Sequence, residues 1–250
     1  MLDVRGLHIA YPGQSSEAVR GVSFSLEKGS LTGLVGESGS GKTTIVSAIL
    51  GLLPAGTRVS GRIEVCGEDL LTLSEEALRR RRWKEVALVP QGAQNSFTPV
   101  KTIGSHIEEV LRVHCALAGT AAKTRVSALL EQVELDVSIA CRYPHELSGG
   151  QKQRAAIALA LACDPELLLA DEPTTALDVI TQAGILRLLL RLKEERDLTV
   201  LLVTHDLPLA ASVCDELIVM KDGELIERGA PKKLIHAPEH AYTRRLVEAM

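Results

Sequence analysis

Apolar and polar residues alternate at the start of the chain. Leu2, Val4, Leu7 and Ile9 predict a strand interrupted near Gly6 and ending at a Tyr11-Pro12-Gly13 turn. Val22, Phe24 and Leu26 alternate with Ser and Glu and predict a second strand, closed by a Lys28-Gly29 turn. Residues 31–35 are a short apolar strand. Ile45, Val46, Ile49, Leu50 and Leu52 then predict an amphipathic helix starting near Lys42. Further strands are predicted over 62–65 and 86–89, the second running into Pro90-Gln91. Over 102–133 the spacing turns helical: Ile103, Ile107, Val110, Leu111 and Leu117, then Val126, Leu129, Leu130 and Val133. This reads as an inserted helical subdomain. A helix over 148–163 follows, beginning at Gly149-Gly150. Next come a strand over 167–170, a helix over 179–196, a strand over 199–203, a helix over 207–214 and a strand over 216–220. That alternation predicts an α/β protein with parallel strands covered by helices. Lys221-Asp222-Gly223 reads as a hairpin turn, and the tail from Pro231 as short and helical.

Composition narrows the picture. With 250 residues and 46% hydrophobic content the chain can bury a substantial core, and 2% aromatic content makes that core mainly aliphatic. A net charge of −4 gives no basic footprint for nucleic acid. The Arg79–Arg82 run is a local exception, but Glu75 and Glu76 sit beside it on a predicted solvated helix. Five scattered cysteines without a Cys-x-x-Cys pair fit reduced thiols better than a disulfide or zinc framework. The chain begins directly with strand-like alternation and shows no signal peptide. No stretch approaches the ~20 apolar residues of a membrane helix; the longest, 155–163, reads as a buried helix.

The chemistry concentrates in three stretches. Gly36, four residues, then Gly41-Lys42-Thr43 is the phosphate-loop spacing, between a strand and a helix. Gly36, Gly39 and Gly41 let the backbone turn so that its N–H groups face anionic oxygens, with Ser38, Ser40 and Thr44 in the same stretch. The helix start adds partial positive charge, Lys42 a full charge for the β- and γ-phosphates, and Thr43 a hydroxyl for Mg²⁺. Second, the strand over 167–170 runs into Asp171-Glu172. Asp171 suits a position beside bound Mg²⁺, and Glu172 can orient or deprotonate water. An acidic strand-to-helix loop would look the same in isolation. Third, Ser148-Gly149-Gly150-Gln151 offers a second anion-binding helix start; alone it could be an N-cap only.

These three stretches, in this order, resemble the ATP-binding cassette (ABC) ATPase family over nearly the whole chain. The resemblance implies a P-loop NTPase cassette: a mixed RecA-like core, an N-terminal antiparallel β subdomain and an inserted α-helical subdomain. A single domain over 1–250 would then have its core in about 1–100 and 164–230, its helical subdomain in about 101–163 and a short tail over 231–250. ATP and Mg²⁺ are the implied cofactors. The resemblance places Tyr11 where a ring stacks on adenine, and Gln91 where a glutamine contacts Mg²⁺ and the attacking water and links the site to a transporter. Asp178 falls in the loop that crosses a dimer interface. His205 matches the switch histidine at the γ-phosphate. Gly36 to Thr44 together with Ser148, Gly149, Gly150 and Gln151 would form composite sites: two ATPs sandwiched head to tail between two cassettes, so that a monomer hydrolyses poorly.

Exporters commonly fuse the cassette to membrane helices, and none is found here. The resemblance therefore implies a separate importer subunit, peripheral on the cytoplasmic face of the inner membrane. Its implied partners are a second copy or a sibling ATPase, integral membrane permease subunits and, indirectly, an extracytoplasmic binding protein. Residues 90–99 and the tail over 236–245 are similar to the peptide/nickel importer subfamily, with Phe97 and Pro99 implied in a groove for a permease coupling helix. A chain stopping at Met250 leans the expected substrate toward nickel or a metal chelate, with di/oligopeptides as the alternative. Two other classes stand against this: a soluble ABC protein acting on DNA or ribosomes, and a regulatory cassette that binds ATP without turnover.

Overall fold

In chain order, β1 (Leu2–Ala10), β2 (Val19–Leu26) and β3 (Leu31–Val35) lead to α1 (Lys42–Ile49), then β4 (Arg58–Val65), β5 (Glu68–Asp69), α2 (Glu75–Arg81) and β6 (Val86–Val89). Helices α3 (Ile103–Cys115), α4 (Gly119–Gln132) and α5 (Gly149–Ala160) precede β7 (Leu167–Asp171), α6 (Val179–Arg196), β8 (Thr199–Thr204) and α7 (Leu207–Val213). The chain closes with β9 (Glu216–Lys221), β10 (Glu224–Gly229), α8 (Pro231–His236) and α9 (Ala241–Glu248). This is a computed structural model, and it describes residues 1–92 and 96–248. Residues 93–95, in the middle of the 90–99 stretch, and residues 249–250 lie outside the described residues. Two compact units form, one from Met1–Arg79 with Lys193–Met250 and one from Arg80–Leu192.

The first unit holds two sheets. Strands in the order β2-β1-β4-β5 pair antiparallel. Their alternation buries one face only, as in β2, where Val19, Val22, Phe24 and Leu26 point inward. The interruption expected near Gly6 is a bulge, not a break: β1 runs through it with Gly6 at φ 53° and the register shifting on both sides. The second sheet is mixed, in the order β10-β9-β3-β8, with β3 parallel to β8 and β9 and antiparallel pairing of β9 with β10. Every residue of β3 and β8 is buried, which explains their unbroken apolar reading. Helix α1 ends at Ile49, short of the expected Leu52. Gly51 at φ 63° ends it, and Leu52 lies 55% exposed.

In the second unit β6 and β7 pair in parallel. Helices α3, α4 and α5 pack on one another, and Ile107, Leu111, Val126, Leu129, Leu130, Ala155 and Ile157 are among their buried residues. Thr102 caps α3 by accepting from the Ser105 amide. Helix α5 stops at Ala160, three residues before the expected end. The carbonyls ending α4 are taken by arginines: Arg154 Nη1 donates to Val133 O at 2.9 Å and Arg191 Nη2 to Gln132 O at 2.7 Å. Both guanidiniums also pair with Glu134. In the basic run, Arg79 pairs with Glu76 and Arg81 with Glu85.

The tail is fastened to the first unit by a buried carboxylate. Glu227 on β10 accepts from the amides of Glu239 at 2.8 Å and His240 at 3.1 Å, ahead of α9. Burial alone would raise its pKa, but the donors around it outweigh burial and hold it below its ordinary value of 4.5. A depressed carboxyl stabilises the fold above its unfolded pKa, and that stability is lost as pH falls through the folded pKa. Thermal melts of Glu227→Gln should therefore show a shallower loss of stability with falling acidic pH than the wild type. Parallel acid limbs would contradict this.

Candidate active site

The phosphate loop is built in the first unit, between β3 and α1. A Cβ on Gly36 would collide with the Met220 carbonyl, and one on Gly41 would come within 2.6 Å of Ala18 O. Gly41 sits at φ 100° and Gly39 at φ 83°. These three positions need glycine for different reasons: Gly36 for close approach, Gly41 for approach and torsion, Gly39 for torsion alone. Lys42 is 4% exposed. Its ammonium donates to Gly36 O and Glu37 O, each at 2.7 Å, and to Ser40 Oγ at 3.3 Å. The loop thus closes around a buried cation at a helix start, a fit for phosphate oxygens. Tyr11 lies beside α1, its hydroxyl 3.1 Å from Thr44 Oγ1. His205 follows β8, exposed, next to Asp206, which caps α7 through the Leu209 amide at 2.9 Å.

The second unit carries the carboxylates. Asp171 ends β7 and is 3% exposed. The chain then turns sharply, with Glu172 in the left-handed region at φ 46°. Such torsions cost about 1–3 kcal/mol, and they recur where a side chain must be aimed. Glu172 Oε2 accepts from Gln91 Nε2 at 2.9 Å and from Thr175 Oγ1 at 2.9 Å. Gln91 was expected from the sequence, whereas Thr175 was not. Only its place three residues past Glu172 could have suggested it.

The same unit joins the second helix start to the loop before α6. Ser148 caps α5 in a reciprocal box, accepting from Gln151 N at 3.3 Å while Gln151 Oε1 accepts from Ser148 N at 3.0 Å. Gln151 is thereby committed to its own helix start. The first-turn amides of Gly149 and Gly150 have no intrahelical acceptor. Gly150 lies against Thr181, where a Cβ would come within 2.7 Å of Cγ2. Thr181 in turn donates to Asp178 from its amide at 3.0 Å and its hydroxyl at 2.6 Å. Those bonds hold the Asp178 carboxyl below its usual range.

A profile described as "ABC transporter" matches residues 19–175, more than half of the chain. The chain belongs to the ABC transporter family. It is an ATP-binding cassette of that family. An AAA-domain profile also matches residues 140–212, less than a third of the chain. Among curated relatives, "Peptidoglycan transport ATP-binding protein YejF" of Agrobacterium fabrum is 45% identical over 100% of this chain and 47% of its own length. "Probable D,D-dipeptide transport ATP-binding protein DdpD" of Escherichia coli is 39% identical over 99% of this chain and 77% of its own length. The chain therefore spans about half of the first relative. Among solved structures, the ATP-binding cassette MJ0796 bound to ADP and Pi, a dimeric post-hydrolysis state, superposes with a TM-score of 0.82. It is 31% identical, covering 92% of this chain and 99% of that one.

Within each unit of this ABC cassette, most expected site residues are neighbours. The first unit gathers Tyr11, the Gly36–Thr44 loop and Lys42, and the second gathers Gln91 with Glu172, and Gly150 with Asp178 through Thr181. Phe97, expected to help form a groove, is buried with its ring edge-on to His106 at 5.2 Å. Its neighbours Ser96, Thr98, Pro99 and Val100 are all exposed.

Proposed function

We propose that this cassette hydrolyses ATP to drive import through a separate permease, with peptides as the substrate class. The observation carrying the reading is Glu172, strained at φ 46° and held through one carboxylate oxygen by Gln91 and Thr175. A general base needs that kind of fixed aim. The loop amides and Lys42 hold the triphosphate, and Tyr11 offers a ring for adenine. Glu172 takes the proton of the attacking water as its oxygen bonds to the γ-phosphorus and the bond to the bridging oxygen breaks. His205 faces the γ-phosphate in this reading. Mg²⁺, when bound, neutralises charge on the β- and γ-oxygens. The Thr43 hydroxyl, the Asp171 carboxylate and Gln91 are oxygen donors of the kind it takes.

Two cassettes complete the site in this proposal, each offering its Ser148–Gln151 helix start to the other's phosphates, with the Gly149 and Gly150 amides as donors and Gln151 holding the turn. The exposed Val179 and Ile180, beside Asp178, support a covering partner. The partner is a second copy or a sibling chain. The division into a core, a helical subdomain over 101–163 and a tail belongs to the same proposal. Among the described residues no helix is long and apolar enough to cross a membrane; a peripheral place on a membrane permease belongs to the same proposal. Nickel or a metal chelate is the less supported substrate class. Relatives named for peptidoglycan and D,D-dipeptide transport favour the peptide class instead.

The test is uptake. Cells lacking the chain should lose uptake of a labelled dipeptide, regain it with the wild type and fail to regain it with Glu172→Gln. Nickel uptake should be unaffected. Loss of nickel uptake with peptide uptake intact would contradict the substrate class.

A further inference from the structure

The tail reaches the phosphate loop. Tyr242 on α9 is 3% exposed, and its hydroxyl oxygen accepts a hydrogen bond from the Glu37 amide at 3.1 Å. Glu37 is the residue after Gly36, and its carbonyl is one of the acceptors of the Lys42 ammonium. One peptide unit and the next thus link the tail's hydroxyl, the loop and the phosphate-binding cation. The loop is bracketed on the same side by the β9–β10 hairpin: Gly36 presses on the Met220 carbonyl, and Gly223 N donates to Ser40 O at 3.2 Å. Lys221, the last residue of β9, stands 5.3 Å from the centre of the Tyr242 ring, and Arg245 stands 5.9 Å from it. Glu227, through the amides of Glu239 and His240, fixes where α9 begins.

We propose that Tyr242 is a positioning residue of the phosphate loop, through which the C-terminal helix sets the loop's grip on a triphosphate. The inference rests on the reading that this loop binds ATP. In a phosphate loop the amides are the ligands, so which way each N–H points is the binding geometry. Tyr242 commits the Glu37 amide away from the ligand and fixes the peptide whose other side holds Lys42. The tail then has a role beyond packing, and anything that engages α9 alters nucleotide affinity.

Tyr242→Phe keeps the ring and removes the acceptor. For the purified full chain, the Kd for ATP should rise about three- to tenfold, the range expected for one hydrogen bond. The melting temperature without nucleotide should stay near that of the wild type, while the ATP-induced rise in melting temperature shrinks. A variant that melts lower but binds ATP with the wild-type Kd would overturn the proposal and leave Tyr242 a packing residue. Glu227→Gln, outside the loop, is the second variant. It loosens the start of α9 and should raise the Kd in the same direction. An unchanged Kd in Glu227→Gln overturns the proposal if Tyr242→Phe does not fold. A folded wild type that fails to bind ATP sinks this inference together with the reading it rests on, and is distinguished by the wild-type measurement alone.

Discussion

Glu172→Gln should bind ATP like the wild type and turn it over about 10²–10⁴-fold more slowly, the range lost with a positioned general base. The substitution is nearly isosteric and keeps an oxygen to accept from Gln91 and Thr175, which hold the wild-type carboxylate at 2.9 Å each. It removes only the ability to take a proton. If ATP bridges two cassettes, the variant should accumulate as an ATP-dependent dimer on a sizing column, because hydrolysis is the step that removes the bridge. Single-turnover phosphate release and the elution volume with and without ATP check both halves. A variant with wild-type turnover would return Asp171-Glu172 to an acidic loop and leave a cassette whose base lies elsewhere.

Lys42→Ala should act one step earlier. The ammonium is nearly buried and is the loop's only full positive charge, so its loss should weaken ATP binding about 10- to 150-fold, the worth of one charge-assisted hydrogen bond. It should also lower the stability of the nucleotide-free fold by about 1–3 kcal/mol. Its removal takes a donor from the carbonyls of Gly36 and Glu37 inside the loop. Titration calorimetry with ATP and a denaturant melt separate the two effects. Binding within about twofold of the wild type would mean that the phosphates do not sit in this loop.

Much of this was legible from the sequence because the chemistry is local. The Gly36–Thr43 spacing specifies strand, loop and helix at once, and β6 falls on the predicted 86–89 because four apolar residues between Glu85 and the strand-breaking Pro90 leave little choice. Ser148 could be read as a cap, and it is one, while keeping the Gly149 and Gly150 amides at the helix start. What failed was decided by contacts at long sequence separation or by torsions. Leu52 fits the helical period, but Gly51 turns left-handed first. β4 begins at Arg58, before the expected Arg62, because pairing with β1 extends it through a polar stretch without alternation. The edge-on contact of Phe97 with His106, nine residues on, carries no signal in the local pattern. The Tyr242–Glu37 bond spans 205 residues, and no periodicity encodes it.

Phosphate release from Mg²⁺·ATP by the purified chain, measured against Glu172→Gln at several protein concentrations, tests the central claim most directly. The account predicts release by the wild type, from two copies or once a sibling cassette is added, with a specific rate that rises with the concentration of that partner, and a near-silent variant. Equal release by the two proteins, or a folded wild type that does not bind ATP, would contradict it.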